Sequence, residues 1–540
     1  MATSRRLRAF KRWMRSQGIE YSDALGFTDS PDGEGIAVRA LCDLKVGDMV
    51  ARIPKVACLT MRTSGASDLI EAAGLGGSLG LAAVLMYEKS LGEDSPWAGY
   101  LQLLPPQECL PLLWTLDDLD SLLRGTELYK TVKEDKALIY EDWKDSILPL
   151  LDSPPFNLDP KCFGIEQYFA AKSLITSRSF EIDEYHGSGM VPLADLFNHK
   201  TGAEDVHITS LYSHSDSESD TDTNKSDVFV DTDDYEKLIQ DSYSDREGSN
   251  TTLVAKNTRR GSDLDFSSVS RDDTPVLEMI MVKDVEVGAE VRFCSYSGSC
   301  FPNHFLASVI SVVCGCEVFN TYGSLGNAAL LHRYGFTEPN NPFDIVNIDM
   351  ELLLQWSSSS FSGRYSRTRL ALWRKLGYCG CVSQNTEYFE ISSDGEPQIE
   401  LLILLYILLL PEDTYHKLDL TVSTAGNFNG SIGMILSEEG QLRWEKAPEV
   451  SKDLLLTKDV CDALLWLADM RESFYGSNSI EDDIEALGNC CIRERKLYHS
   501  LVLRISERRI LERLRTYAAV GAQSFRTAKR SSVRKKLKKK

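Results

Sequence analysis

The spacing of apolar residues divides the chain into stretches of different secondary structure. From Tyr21 to Thr60, short apolar runs alternate with turn residues, which predicts strands. From Leu79 to about Phe169 the apolar spacing is helical, with prolines between the segments. Strand character resumes from Pro275 to Val291, and the chain from Phe336 to about Gly521 is mainly helical. The pattern predicts an α+β protein, with a β-rich first part that contains a helical insertion and an all-α C-terminal part.

Two segments lack this patterning and carry opposite charges. Residues 213–273 are rich in serine, aspartate and threonine and poor in large apolar groups, so we expect a disordered insertion. Residues 213–249 hold 12 acidic and 3 basic residues, a net charge of -9. Residues 526–540 hold 9 basic residues and no acid. This tail is typical of a nuclear-localisation run, and a solubilising tail is the open alternative.

Composition narrows the classes of protein. The 540 residues suffice for two to four domains, and the net charge of -21 argues against a nucleic-acid-binding surface over most of the chain. Leu401 to Leu410 is the longest apolar run and is too short for a bilayer, so it predicts a buried helix. The 13 cysteines, an odd number without a four-ligand spacing, favour free thiols in a reducing compartment and no metal.

The basic N-terminus lacks the apolar core of a secretory signal. A short organelle transit peptide is conceivable, but Phe10 to Glu20 already has the pattern of a first helix, which leaves little room for a cleavable segment. The nucleus or the cytoplasm is therefore favoured over the chloroplast.

Four short fragments carry the candidate chemistry. They are Thr176–Phe180 around Arg178, the run Met190-Val-Pro-Leu-Ala-Asp-Leu-Phe-Asn-His199, Asn320-Thr-Tyr-Gly323, and Asn327–Phe336, which ends Arg-Tyr-Gly-Phe. Any one of them alone is typical of a buried strand that runs into a turn. Together, in this order and spacing, they resemble the SET-domain protein methyltransferases of the rubisco large-subunit and ribosomal-lysine methyltransferase type.

The resemblance implies S-adenosylmethionine as the methyl donor and assigns residues around it. The turn at Glu34, Gly35 and Ile36 corresponds to the segment that cradles the methionine part of the cofactor, although such a turn is often only a tight turn. Asn198 and His199 resemble the pair that anchors the cofactor at its amino-acid end and its adenine.

Two tyrosines and an ion pair complete the implied site. Tyr322 resembles the catalytic tyrosine and also contacts the cofactor, and Tyr334 resembles the second aromatic ring near the cofactor and the substrate lysine. Arg178 and Asp195 resemble the pair near the cofactor carboxylate and the substrate lysine, since an arginine can hold a carboxylate through two donors. Two alternative roles stay open: Tyr334 as an ordinary core residue, and Asp195 as a cap at the end of a strand. The second arginine of some family members is Ile182 here.

One segment departs from the family pattern. Deleting residues 291–317, which are 27 positions, regenerates Gly-Ala-Glu-Val-Phe-Asn-Thr-Tyr-Gly without a gap. The segment is either a retained intron or a real loop directly before the strand that carries Tyr322.

The resemblance implies a SET domain with a pseudoknot over residues 10–336, interrupted by a helical insertion at about 79–169, the acidic insertion at about 213–273 and the atypical insert at 291–317. A helical substrate-binding domain over 340–521 and a basic tail over 522–540 follow. The function implied is S-adenosylmethionine-dependent lysine N-methylation of a non-histone protein, such as a ribosomal or nuclear factor, by a monomer. No membrane partner is expected, and nucleic acid is expected to bind, if at all, only through the basic tail. A catalytically silent SET scaffold, which the atypical insert favours, and a protein-histidine methyltransferase are the alternatives.

Overall fold

The computed structural model describes residues 4–29, 35–152, 158–211, 275–287, 316–376, 388–424, 432–436, 442–446 and 452–538. The acidic insertion and nearly all of the atypical insert therefore lie outside the described residues. The chain divides into two units. The first unit is Met1–Leu113 with Asp135–Ser324, and the second unit is Trp114–Glu134 with Leu325–Lys540. The domain boundaries given above stay a prediction.

The first unit contains the strands predicted between Tyr21 and Thr60. Strands β1, β4, β8 and β7 form an antiparallel four-stranded sheet in the order β1-β4-β8-β7, and β2 pairs with β3 and β5 with β6. Alternate residues of β8 are buried, as expected for strands with one face against a core. The strands are β1 Glu20–Tyr21, β2 Leu25–Asp29, β3 Ile36–Ala40, β4 Met49–Pro54, β5 Ser179–Asp183, β6 Gly187–Met190, β7 Val206–Leu211 and β8 Val276–Met281.

Helices cover the sheets of the first unit and share its hydrophobic core. Helix α1 is capped by the side chain of Ser4, which accepts a hydrogen bond from the Leu7 amide, and it buries Phe10 and Met14. Helices α3 and α7 pack together in the predicted helical insertion. The helices are α1 Arg5–Ser16, α2 Ser67–Ala72, α3 Gly77–Ser90, α4 Ala98–Leu101 and α7 Ile165–Arg178; α5 Leu116–Asp118 lies in the second unit, and α6 Leu128–Asp142 continues from the second unit into the first.

The second unit is mainly helical, as predicted. Its helices are α8 Asn327–Tyr334, α9 Met350–Ser360, α10 Gly363–Lys375, α11 Ile399–Leu409, α12 Glu412–Thr424, α13 Lys452–Leu455, α14 Lys458–Glu472, α15 Ile480–Asn489 and α16 Arg495–Lys538. All but the last residue of the predicted run Leu401 to Leu410 lie in α11, which is largely buried. The second unit also contains two antiparallel pairs that the all-helical expectation missed: β9 Val346–Asp349 with β10 Tyr388–Ile391, and β11 Ile432–Leu436 with β12 Leu442–Lys446.

The segment Trp114–Glu134 contributes its own apolar cluster to the second unit. Trp114, Leu119, Leu123, Leu128 and Val132 pack with Leu331 and Leu503, and all of them are buried. The sequence places this segment inside the helical insertion of the first part, so the second unit is discontinuous in sequence.

Within the described ranges, no helix is long and apolar enough to cross a membrane. The same residues contain no group of three or more His, Cys, Asp or Glu side chains placed to hold a metal ion.

Candidate active site

Two fragments that are far apart in sequence meet at His199 and Tyr322. The Tyr322 amide donates a hydrogen bond to Nδ1 of His199 at 3.0 Å, and the two rings stack with centroids 5.0 Å apart. Because Nδ1 accepts, the histidine proton of the neutral ring lies on Nε2, which faces Thr201 Oγ1 at 3.3 Å. The imidazole therefore fixes the backbone that carries Tyr322.

The strand segment before Tyr322 joins two parts of the first unit. Val318 donates its amide to the Val38 carbonyl at 2.9 Å, and Asn320 donates its amide to the Asn198 carbonyl at 2.9 Å. Asn320 also forms parallel bridges with His199 and Val206. These contacts are those expected where the pseudoknot brings the two motifs together, and residues after the atypical insert make them.

The hydroxyl of Tyr322 has a defined orientation. Its oxygen lies 3.1 Å from the Phe197 carbonyl, to which it donates its proton. A phenol whose proton is used in this way presents oxygen lone pairs to its remaining neighbours. The Tyr322 oxygen is therefore placed to accept a hydrogen bond or to face a positively charged group.

A second cluster surrounds Arg178 at the end of α7. Its Nε donates to Glu108 at 2.6 Å, and a terminal nitrogen donates to the backbone and side-chain oxygens of Asp195 at 3.1 and 3.4 Å. The hydroxyl of Tyr100 donates to the same Asp195 side-chain oxygen, Oδ2, at 2.8 Å. The stretch 195–199 thus touches both the arginine cluster and Tyr322.

This cluster leaves one acceptor and one donor without a partner. Oδ1 of Asp195 is buried and has no hydrogen-bond partner among the described residues. The second terminal nitrogen of Arg178 makes no hydrogen bond to the described part of the chain either. Since buried polar atoms are nearly always paired, the unpaired Oδ1 of Asp195 points to a ligand position.

Burial dominates the electrostatics of the cluster. Burial raises the pKa of Asp195, and the nearby Arg178 charge offsets only part of this shift. Burial also raises the pKa of Tyr100, with a further contribution from the Asp195 charge. For Arg178 burial works in the opposite direction, but the carboxylates of Glu108 and Asp195 outweigh it and raise the guanidinium pKa. Arg178 therefore remains a cation.

The backbone before Asp195 is strained. Leu193 is fully buried and has φ of 78°, in the left-handed region that a branched side chain rarely adopts. It precedes the short turn Ala194–Leu196, which directs Asp195 toward Arg178. Such strain persists only where the surrounding structure imposes it, and it is concentrated at functional sites.

Comparisons with known proteins agree with this geometry. No protein-family model matches the chain. The ribosomal lysine N-methyltransferase 3 of Saccharomyces cerevisiae is 26% identical over 359 residues, which is 60% of this chain and 60% of that protein. The N-lysine methyltransferase SETD6 of Bos taurus is 21% identical over 493 residues, 85% of this chain and 89% of that protein. The matched region thus spans less than two thirds of the yeast relative.

The structure resembles that of the SET domain of LSMT bound to lysine and AdoHcy, with a TM-score of 0.59 and 18% identity over 96% of this chain and 92% of that chain. The structure of rubisco LSMT bound to AdoMet gives a TM-score of 0.56 and 17% identity over 97% and 93%. These two likenesses show that the chain has the fold of the LSMT SET-domain structures.

The remaining residues assigned by resemblance to this SET family are placed as follows. Glu34 lies outside the described residues. Gly35 directly precedes β3 and Ile36 is its first residue, and apart from the chain neighbours of Gly35 no atom of the described residues lies within 4 Å of the position that a Cβ on Gly35 would take. Asn198 is exposed, and its amide donates to Glu317 at 2.8 Å. Tyr334 ends α8 in the second unit.

Two residues of the Arg178 cluster could not be predicted from the sequence. Tyr100 fits a packing position of the helical insertion, and nothing in the sequence separates that role from its bond to Asp195. Glu108 is 70 residues from Arg178 in sequence, and it follows a proline pair in an irregular segment. The one available signal was Arg178, because a buried arginine needs a carboxylate partner that the sequence does not identify.

Proposed function

We propose that this chain is an S-adenosylmethionine-dependent protein-lysine N-methyltransferase that acts on a non-histone protein, such as a ribosomal or nuclear factor. The observation that carries the proposal is the stretch 195–199, which fixes Tyr322 on one side and the Arg178 cluster on the other. Relatives named as ribosomal and N-lysine methyltransferases support the same activity.

The residues present fit the cofactor. Its methionine end carries a carboxylate and an ammonium group, and the open nitrogen of Arg178 would hold the carboxylate by a charge-assisted hydrogen bond. Oδ1 of Asp195 is a buried acceptor suited to an ammonium or amine donor, which we assign to the substrate lysine. Arg178 would offer one nitrogen rather than two, because Glu108 and Asp195 occupy the others.

Tyr322 would align the reacting groups. When bound, S-adenosylmethionine supplies an electrophilic methyl group on a sulfonium centre. The Tyr322 oxygen, whose own proton is bound to Phe197, would accept a hydrogen bond from the substrate amine and hold it in line. A free lysine has a pKa of about 10.4, so the amine must lose its proton before it attacks, and a dry pocket favours that loss.

We further propose that the helical region 340–521 docks the protein substrate and that the protein works as a monomer in the nucleus or cytoplasm. The family resemblance supports the docking role, and the basic tail at 526–540 supports a nuclear address.

The test uses Tyr322→Phe, which removes the hydroxyl and keeps the ring. We expect methyl transfer from labelled S-adenosylmethionine to ribosomal and nuclear proteins to fall by about 100-fold or more, while calorimetry shows unchanged cofactor binding. Tyr185→Phe is the matched control, because Tyr185 is 69% exposed and should retain full activity. Equal transfer by Tyr322→Phe would refute the role of the hydroxyl. Hydrolysis of the product distinguishes methyl-lysine from methyl-histidine.

A further inference from the structure

The first helix carries a high density of positive charge. Helix α1 has six arginines and lysines and no acidic residue in 12 positions, in a chain whose net charge is -21. Its apolar residues Leu7, Phe10 and Met14 are at most 1% exposed in the core of the first unit. The helix is therefore part of the folded body, with its charged face outward.

Arg6 and Lys11, two of the six cations, have contacts that stabilise the packing of the first unit. Arg6 donates to the backbone carbonyls of Gln102 and Leu103 at 2.7 to 3.0 Å. The Lys11 ammonium lies 4.9 Å from the centre of the Phe27 ring. Both side chains stabilise local packing.

The other four form what we call the arginine stripe: Arg5, Arg8, Arg12 and Arg15. All four are exposed, and their steps of three, four and three residues keep them on one face of the helix. At 1.5 Å per residue the stripe extends over about 15 Å. No carboxylate of the described residues pairs with Arg5, Arg12 or Arg15.

The burial of Leu7, Phe10 and Met14 excludes two usual partners of basic amphipathic helices. Such a helix normally inserts its apolar face into a membrane surface or a hydrophobic groove. Here that face is already covered by the core. Only the charged face is left for binding, so a partner must be recognised by its charge.

We propose that the arginine stripe binds the phosphate backbone of a nucleic-acid strand. All four residues are arginines, whose planar guanidinium group matches phosphate through paired hydrogen bonds. A strand presents its charges at regular intervals, as the stripe does. This inference departs from the expectation drawn from net charge, because a local patch can act against the average of the surface. It does not depend on the proposed methyltransferase activity.

The test measures binding of a labelled oligouridylate to the full chain at ~50 to ~200 mM salt. For single strands, the logarithm of the association constant falls with the logarithm of the salt concentration with a slope of about -0.7 per phosphate contact. Four contacts by the stripe should therefore contribute a slope of roughly -3. Changing all four arginines of the stripe to glutamine should lower affinity about tenfold or more and remove that part of the slope. Changing only Arg12 and Arg15 should remove about half of it.

The matched control removes the same charge elsewhere. Arg364, Arg367, Arg493 and Arg509 are exposed arginines of the second unit, and changing them to glutamine should leave affinity and slope unchanged. An unchanged melting temperature and far-ultraviolet circular dichroism spectrum would show that the stripe variants are folded.

Several results would overturn the proposal. They are oligouridylate binding by the stripe variant that equals that of the unchanged chain, an equal loss in the control variant, and no salt-dependent binding by the unchanged chain. Displacement of the oligouridylate by polyglutamate at equal charge concentration would assign the stripe to acidic polypeptides instead.

Discussion

Two buried clusters of the molecule have nearly the same composition and opposite character. The first is the cluster of Arg178 with Glu108, Asp195 and Tyr100 in the first unit. In the second unit, Arg471 lies with Glu127, Glu507 and Tyr475. Each contains an arginine, two carboxyl groups and a tyrosine that donates to a buried carboxyl group.

The clusters differ in how completely they are paired. Arg471 uses all three nitrogens, toward the Asn347 carbonyl, the Gly125 carbonyl and Glu127. Both carboxyl oxygens of Glu507 are bonded as well, to the Glu127 amide and to Tyr475. The Arg178 cluster leaves a donor and an acceptor open. Residue types alone therefore do not separate the two clusters, whereas the unpaired atoms of the Arg178 cluster do.

The largest effect is expected from removing the two arginines. Arg471→Met leaves two buried carboxyl groups without a counter-ion and should lower the free energy of unfolding by about 3–5 kcal/mol. Arg178→Met should cost less stability, because the side chains of Arg178 and Glu108 are 19% and 17% exposed. It should instead abolish S-adenosylmethionine binding. Denaturant unfolding measures the stability of both variants, and calorimetry measures their cofactor binding. Equal destabilisation by the two variants would contradict the difference between the clusters.

The next effect is a pH dependence that the second cluster contributes to stability. Burial raises the pKa of Glu507 to about 8 from an ordinary value of 4.5, and the Glu127 charge adds to the shift. The folded state then binds more protons than the unfolded state, so this group stabilises at low pH and its contribution is lost as pH rises toward 8.

His499 acts in the opposite direction. Burial lowers its pKa to about 4 from 6.5, so stability from this group is lost as pH falls through that range. Above pH 6.5 the contribution of His499 no longer changes with pH, whereas that of Glu507 still does. We expect the unfolding free energy to fall by up to about 2 kcal/mol from pH 6.5 to 8, and Glu507→Gln to flatten that slope. A slope unchanged in Glu507→Gln would contradict this assignment.

A smaller effect comes from the two tyrosine hydroxyls. Tyr475→Phe should cost about 1 kcal/mol of stability and leave cofactor affinity unchanged. Tyr100→Phe removes the corresponding bond to Asp195 and should weaken S-adenosylmethionine binding about tenfold, with a change of melting temperature no larger than that of Tyr475→Phe. A larger loss of stability in Tyr100→Phe, with a loss of cofactor affinity in Tyr475→Phe, would show that the Arg178 cluster is structural.

The smallest effect is expected from deleting residues 291–317. Sγ of Cys316 lies 3.2 Å from the Glu286 carbonyl, so the chain leaves and returns at nearby points. After the deletion Glu290 directly precedes Val318 and takes the position of Glu317, the partner of Asn198. We expect stability to change by less than ~1 kcal/mol and cofactor binding to persist. Loss of binding would show that the insert supports the site.

Sequence patterning was sufficient for part of this picture. The strands between Tyr21 and Thr60 and the buried helix Ile399–Leu409 follow from local periodicity. The meeting of His199 with Tyr322 follows from the family resemblance of their two motifs. Tyr100 and Glu108 did not, because their roles depend on contacts across 95 and 70 residues that leave no local signal.

The division of the chain was also hidden from local patterns. Helix α6 continues through the boundary between Glu134 and Asp135 without a turn residue or a change in composition. Strands β9 and β10 have only four residues each, too few for a periodicity to show. Tertiary packing decided all of these features.

The discontinuity of the second unit has a consequence for synthesis. The Glu127 amide bonds to Glu507, 380 residues later in the chain. During translation, the apolar side chains of Trp114, Leu119 and Leu123 are made early and have to wait for most of the polypeptide before their partners exist. Contacts between residues so far apart in sequence form slowly, and the apolar surface stays exposed to chaperones until they form. A protein fragment that ends near residue 336 lacks the later partners of this segment. We therefore expect such fragments to aggregate on expression.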